Sequence, residues 1–318
     1  MNPTVLVYDP YPDEEWAASL RAVIGADVDT VIPWEPAAAD AALPRADVVI
    51  ATGRRRLGPA EIARMERATG VVCFSIGMDQ VDADAAAAAG IAVTNIPDYC
   101  TEDVADHALA LLLAAQRRLV PLANETAAGT WTGHRAVDVA SLRRVGGRTL
   151  GLVGFGRIGR AVAERARAFG LRIVAYDPGQ DSSPVPYAEL VSLETLAERA
   201  DAVVLCAALT PGSRGVIGAD FFARVRPGLV LVNVARGGLV DEAALLAALD
   251  DGRVAVAALD VRATEPPDPA GDPLAGRPDV LVTPHAAGSS VEAFDDLLVK
   301  TAALVHRFLA TERAGAPR

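Results

Sequence analysis

The chain is 318 residues long, 51% hydrophobic, and carries a formal net charge of −11. That length accommodates two domains, and the acidic balance argues against nucleic acid as a partner, so any anion site must be locally positive. No apolar run reaches the ~18 residues of a membrane span. No basic-then-apolar leader is present, and Cys73, Cys100 and Cys206 are too scattered for a metal site. A reduced, cytoplasmic protein without metal is expected.

In chain order, Thr4–Tyr8 reads as a strand, 13–24 as a helix, 27–32 and Val48–Ala51 as strands, and 59–68 as a helix. Val71–Ser75, an alanine-rich helix at 82–89 and the strand Ile91–Thr94 follow. Strands alternating with helices imply a parallel, doubly wound sheet. The loop holding Ile76 and Gly77 follows a strand's carboxyl end, where open α/β sheets bind ligands, and its amides could hold a carboxylate. Residues 101–121 read as one long helix, apolar on most sides and expected to be buried between domains, with Pro121 ending the pattern. His107 on it reads as a structural histidine. The segment 122–147, with Trp131 and His134, lacks strong periodicity and reads as a connector or dimer arm.

Residues 149–177 carry the clearest motif. Thr149 to Val153 is an apolar run of strand length, and Gly154, Gly156 and Gly159 form G-x-G-x-x-G. A helical period then runs from Ile158 to Phe169, Gly170 closes it, and a second apolar run ends on Asp177. In such a βαβ unit the first glycine permits the tight turn, the second admits a pyrophosphate, and the third lets helix and strand pack closely. Asp177 would accept from ribose hydroxyls and repel a 2′-phosphate. Pro178, Gly179 and Gln180 follow without an arginine, which favours NAD over NADP.

Alternation resumes with strands at Ala202–Ala207, Leu229–Val234, Val254–Leu259 and Val280–Thr283. A helix capped by Asp241 runs to about Leu249, and a last helix spans about 290–310. Strand ends here lead into Arg236, Asp260 and His285, which gather guanidinium, acid and imidazole chemistry on one rim. Arg236 offers a planar fork for a carboxylate. His285 can exchange a proton near neutral pH. Glu265, on a proline-stiffened loop, could fix the imidazole tautomer and favour its protonated form.

Together these motifs resemble the D-isomer-specific 2-hydroxyacid dehydrogenase family over nearly the whole chain. They are Gly154–Gly159 with Asp177, the run from Asn233 to Asp241, Ala258–Val261, Glu265-Pro266 and Thr283–Gly288. The stretch Pro97–His107 is similar to the branch holding C-terminal-binding-protein-like and phosphoglycerate-dehydrogenase-like members. The resemblance implies two doubly wound parallel-sheet domains. Residues 1–100 with 290–318 would form a flavodoxin-like substrate domain, and 101–289 a Rossmann NAD-binding domain. It implies hydride transfer between NADH and a small 2-oxo acid of glyoxylate, hydroxypyruvate or phosphoglycerate type, with Arg236, Glu265 and His285 catalytic. Arg157 and Ile158 would join the glycines at the pyrophosphate. Thr210, Val234, Ala235, Arg236, Asp260, His285 and Gly288 would border the rest of the cofactor, and Ile76 and Gly77 would share the substrate carboxylate with Arg236. Members commonly form homodimers through 101–147.

The chain departs from the family where His-x-Pro is common, reading Cys206-Ala207-Ala208, which bears on cofactor packing. Arg54, Arg55 and Arg56 make a basic loop, and Arg54 could take a second anion on the substrate. Two other readings stay open. One is an NAD-sensing, co-repressor-like scaffold, and the other a formate- or phosphite-type dehydrogenase, although formate dehydrogenases usually carry glutamine at the Glu265 position.

Overall fold

The computed structural model describes residues 2–11, 13–131, 142–268 and 271–315. The chain divides into two compact units, Met1–Tyr99 with Ser290–Arg318, and Cys100–Ser289.

The first unit contains β1 (Thr4–Tyr8), α1 (Glu14–Ile24), β2 (Asp29–Val31), α2 (Pro36–Ala42), β3 (Val48–Ala51), α3 (Pro59–Ile62), β4 (Gly70–Cys73), α4 (Ala83–Ala88) and β5 (Ala92–Thr94). Its strands pair in parallel in the order β2-β1-β3-β4-β5. That is the doubly wound, flavodoxin-like order. Both faces are covered, so the central strands β3 and β4 are buried and apolar along their whole length rather than alternating, while the edge strands β2 and β5 are partly exposed. Val5, Val7, Val48, Ile50 and Val72 pack with Trp16, Leu20 and Ile24 of α1, and with Leu298 and Val305 of the closing helix. Leu6, Tyr8, Val49, Ala51 and Val71 point the other way, onto Ala39, Ala42, Ile62 and Ala86. Asp13 caps α1 by accepting from the Glu15 and Trp16 amides.

The second unit begins with α5 (Thr101–Gln116) and α6 (Leu119–Ala127). It continues through β6 (Thr149–Val153), α7 (Arg157–Ala168), β7 (Arg172–Tyr176), β8 (Ala188–Leu190), α8 (Leu193–Arg199) and β9 (Ala202–Leu205). Helix α9 (Ala219–Arg224), β10 (Leu229–Asn233), α10 (Glu242–Asp250), β11 (Val254–Leu259) and β12 (Val280–Val282) complete it. The closing helix of the first unit, Val291–Gly315, is α11. Seven parallel strands run β12-β11-β10-β9-β6-β7-β8, so the order reverses between β6 and β9. Beside that reversal, at the strands' carboxyl ends, a doubly wound sheet opens a ligand crevice. Helices α8, α9 and α10 bury Leu196, Phe221, Phe222, Leu245 and Leu249 against Val203, Leu205 and Leu231 of the sheet. On the other side α5 packs on α7, β10 and β11.

Two parallel-sheet α/β units are what the sequence implied, but several elements differ. The single helix expected over 101–121 ends at Gln116, and Arg118 adopts a left-handed backbone with φ 52° before α6 begins. Pro121 does not end a helix. It sits in the first turn of α6, where its missing N–H leaves no helical bond unmade. The helix expected over 59–68 closes after one turn. His134, in the expected connector, lies outside the described residues.

Candidate active site

The glycine loop between β6 and α7 is fixed by close backbone contacts. Gly154 has φ 91°, and a Cβ there would lie 2.6 Å from the Ala207 backbone. The residues that depart from the family pattern, Cys206 and Ala207, are thus the ones packed on this loop. A Cβ on Gly159 would lie 2.2 Å from the Gly154 carbonyl oxygen, so helix and strand meet only with glycine there. Gly156, the N-cap of α7, has nothing within 4 Å of its Cβ position. The first amides of α7, from Arg157 and Ile158, have no helical acceptor. Open space over unpaired N–H groups and a positive dipole end is the chemistry of a phosphate cradle, so a dinucleotide pyrophosphate fits these residues.

Asp177 stands at the carboxyl end of β7. Its Oδ2 accepts from the Phe155 amide at 2.8 Å and from Gln180 Nε2 at 2.9 Å, and its Oδ1 from the Gly179 amide at 3.0 Å. Gln180 also donates to the Phe155 carbonyl at 3.0 Å and so ties the acid to the glycine loop. In the sequence Gln180 is notable only for not being arginine; its tie to the loop appears in the fold. Thr210 lies in a tight turn after β9, where its amide donates to Ser213 Oγ at 2.8 Å.

Three further loops carry the reactive side chains. After β10, the buried Asn233 side chain donates to the Arg236 carbonyl at 2.9 Å and accepts from the Ala235 amide at 3.0 Å. This folds Val234 and Ala235 into a tight corner. Arg236 Nη1 donates to the Ala235 carbonyl at 2.8 Å. A Cβ on Gly237 would lie 1.9 Å from the Arg262 carbonyl carbon, so the Arg236 loop and the loop after β11 touch through their backbones.

On that second loop the Arg262 amide donates to Glu265 Oε1 at 2.8 Å, which turns Glu265 back toward the strand ends. The Arg262 guanidinium is buried and pairs with Glu242 at 2.9 Å and Asp272 at 2.6 Å. After β12 comes His285, with φ 56°. Its amide donates to the Asp260 carbonyl at 2.8 Å. The buried Asp260 carboxylate accepts from Thr283 Oγ1 at 2.6 Å and from the Ala286 and Ala287 amides at 2.9 Å each, holding the turn that ends at Gly288. His107 on α5 backs this arrangement, with Nε2 3.1 Å from Thr283 Oγ1 and 3.5 Å from Asp260 Oδ1.

Glu265 and His285 meet as a result, with Nδ1 2.6 Å from Oε2. Burial pulls the Glu265 carboxyl upward. The hydrogen bonds from His285 and the Arg262 amide, with the His285 and Arg236 charges, outweigh it and hold the group below the usual carboxylate range. An ionised Glu265 accepts a hydrogen bond from Nδ1–H, which keeps that proton on the ring and leaves Nε2 for exchange with a ligand.

In the Met1–Tyr99 unit, the Ile76 carbonyl accepts from Asn95 Nδ2 at 2.6 Å, and the Gly77 carbonyl from Ser75 Oγ at 2.7 Å. Of the three neighbouring arginines, Arg55 pairs with Asp40 at 3.0 Å and Arg56 with Asp82 at 3.4 Å. Arg54 instead donates to the Pro10 carbonyl at 2.9 Å and lies 5.7 Å from the Tyr11 ring centre. The basic loop is therefore not one patch.

Residues 109–287 match the family model described as D-isomer specific 2-hydroxyacid dehydrogenase, NAD binding domain. The chain is 39% identical over 244 residues to a glycerate dehydrogenase of Methylorubrum extorquens, covering 76% of each. The chain belongs to the D-isomer specific 2-hydroxyacid dehydrogenase family. It is also 38% identical over 319 residues to D-3-phosphoglycerate dehydrogenase of Mycobacterium tuberculosis, with 98% of this chain aligned. The chain spans 57% of that relative's length. Among solved structures it resembles an NADPH-dependent glyoxylate/hydroxypyruvate reductase of Sinorhizobium meliloti in complex with NADP and malonate, at a TM-score of 0.85 and 30% identity over 98% of this chain and 95% of that one. The matched span, residues 109–287, falls within the Cys100–Ser289 unit, which also carries Arg236, Glu265 and His285.

Proposed function

We propose that the protein is an NAD-dependent reductase of a small 2-oxo acid, forming a D-2-hydroxy acid and working reversibly. The observation that carries this reading is the 2.6 Å contact of Glu265 with His285, close to the Arg236 charge and on the unit that binds the dinucleotide. When bound, NADH supplies a hydride to the substrate's carbonyl carbon. Arg236 holds the substrate carboxylate and polarises the carbonyl. His285 Nε2 delivers a proton to the carbonyl oxygen, and Glu265 keeps the imidazole protonated and in register. Hydride on carbon and proton on oxygen together convert the oxo acid to the hydroxy acid. In the Met1–Tyr99 unit, the Ile76 and Gly77 amides and Arg54 are the candidate substrate contacts.

NAD is the preferred cofactor. The NADPH-dependent relative shows that the family uses both, but in this chain Asp177 presents a carboxylate where a 2′-phosphate would lie, and Pro178–Gln180 supply no cation. Glycerate, hydroxypyruvate and phosphoglycerate in the relatives' names support a small 2-hydroxy or 2-oxo acid as the substrate class. Arg54, the arginine of its loop that pairs with no carboxylate among the described residues, would favour a dianionic substrate. The kcat/KM values of glyoxylate, hydroxypyruvate and a dianionic 2-oxo acid are expected to fall selectively for the dianion in Arg54→Ala. Equal losses on all three would remove that role.

The same reading includes a homodimer in the cytoplasm. Among its described residues α6 buries no side chain, and Leu119, Val120 and Trp131 are 52%, 40% and 87% exposed. Among the described residues no helix is long and apolar enough to cross a membrane, and the three cysteines form no disulfide with one another.

A further inference from the structure

At the amino ends of β6, β7 and β8 lies an open cavity of about 820 Å³, within the Cys100–Ser289 unit. Its lining includes Arg167, Arg172, Tyr187, Glu189, Arg199 and Arg226, so the lining residues carry four guanidinium groups and one carboxylate on a chain of net charge −11. That carboxylate is already matched, since Glu189 takes two hydrogen bonds from Arg199, at 3.0 and 2.7 Å. Arg167 is stacked 4.0 Å from the Tyr187 ring centre and lies 3.8 Å from Glu164, which also accepts from the Tyr187 hydroxyl at 2.7 Å. Arg226 has Asp201 only at 3.9 Å, an acid it shares with Arg148 and the Thr149 amide. The Arg172 side chain reaches the Thr149 hydroxyl at 3.5 Å, and among the described residues it pairs with no carboxylate. Arg172 and Arg226 thus bring positive charge to one cavity with little local compensation.

Like charges gathered around a concave surface repel one another, and a bound polyanion relieves that repulsion while accepting forked hydrogen bonds from guanidinium groups. The volume lies within the range of small-molecule sites and exceeds what a single inorganic anion fills. We infer that this cavity binds a compact polyanionic small molecule carrying two or more phosphate or carboxylate groups. The site is separate from the dinucleotide. Thr149 and Arg172 are paired first residues of β6 and β7, and the Gly154 loop and Asp177 lie past the other ends of the same five-residue strands. At about 3.3 Å per residue the two ends are roughly 17 Å apart. The ligand therefore adds to the bound cofactor instead of replacing it.

The test is calorimetric titration of tripolyphosphate, and separately of citrate, into the full chain saturated with NADH. One site per chain is expected, with NADH retained and affinity falling as salt rises. Tighter binding of tripolyphosphate would assign phosphate groups to the ligand, and tighter binding of citrate carboxylates. The Arg172→Ala, Arg226→Ala double variant should bind at least about tenfold more weakly while its NADH affinity is unchanged. In the unsubstituted protein, the bound anion should shield Arg172 and Arg226 from phenylglyoxal, which keeps the test valid if the double variant does not fold. Binding that displaces NADH, that survives the double substitution, or that leaves both arginines reactive would overturn the inference. So would an absence of binding.

Discussion

Asp260 acts through what it accepts. Its carboxylate is 1% exposed and fully engaged by Thr283 Oγ1 and the Ala286 and Ala287 amides, so it anchors the turn that presents His285. Asp260→Asn sets an amide N–H₂ against backbone donors, and leaving a buried donor unsatisfied costs about 1–3 kcal/mol. The variant is expected to lose that much in thermal or denaturant unfolding and to show a lower kcat. Thr283→Ser, which keeps the hydroxyl, should match the unsubstituted protein in both measurements. A different signature is expected for Glu265. Because its carboxyl is held below the usual range, its contribution to the pair is complete above ordinary carboxylate pKa values, and is lost only as pH falls through the depressed value. Glu265→Gln removes the negative charge that favours the protonated imidazole, so the alkaline limb of the pH–rate profile for reduction should move to lower pH. An unchanged profile would remove Glu265 from that role.

Within the βαβ element the three glycines separate folding from binding. A Cβ at Gly159 meets the Gly154 carbonyl at 2.2 Å, whereas one at Gly156 meets nothing within 4 Å. Gly159→Ala is therefore expected to destabilise the protein by about 1–3 kcal/mol through overpacking. Gly156→Ala should leave the Tm unchanged and weaken NADH binding, because the added methyl occupies the approach to the α7 amides. Thermal unfolding and NADH fluorescence titration distinguish the two. Strands such as Thr149–Val153 and Leu229–Asn233 were legible in the sequence because burial on both faces makes them unbroken apolar runs between turns. Helices α2, α8 and α9 were not. At six or seven residues each is too short to display a full helical period, and among helices of that length only the alanine run of α4 stood out in the sequence. The break between α5 and α6 depends on the left-handed Arg118, which no local residue pattern announces. At the site, Arg236, Glu265 and His285 stood out as polar side chains near strand ends. Asn233, Arg262 and Gln180 did not, because each ties backbone to backbone or to another side chain, and only the folded loops reveal their partners.

For the molecule as a whole, the proposed function divides the work between two units: the span matching the NAD-binding-domain model lies within Cys100–Ser289, and the candidate substrate contacts Ile76 and Gly77 lie on the companion unit. The exposed Leu119, Val120 and Trp131 give the proposed dimer a test. Sedimentation equilibrium should find two chains per particle, and Val120→Glu with Trp131→Glu should shift the protein toward monomer. The most direct measurement of the central claim is NADH oxidation against a panel of 2-oxo acids, run in parallel on the unsubstituted protein and on His285→Ala, with NADH binding measured for both. Turnover of at least one small 2-oxo acid is expected, with preference for NADH over NADPH and a loss of about 10²–10⁴-fold or more in His285→Ala, NADH affinity being retained. Full activity in His285→Ala, or NADH binding without oxidation by any 2-oxo acid, would contradict the claim.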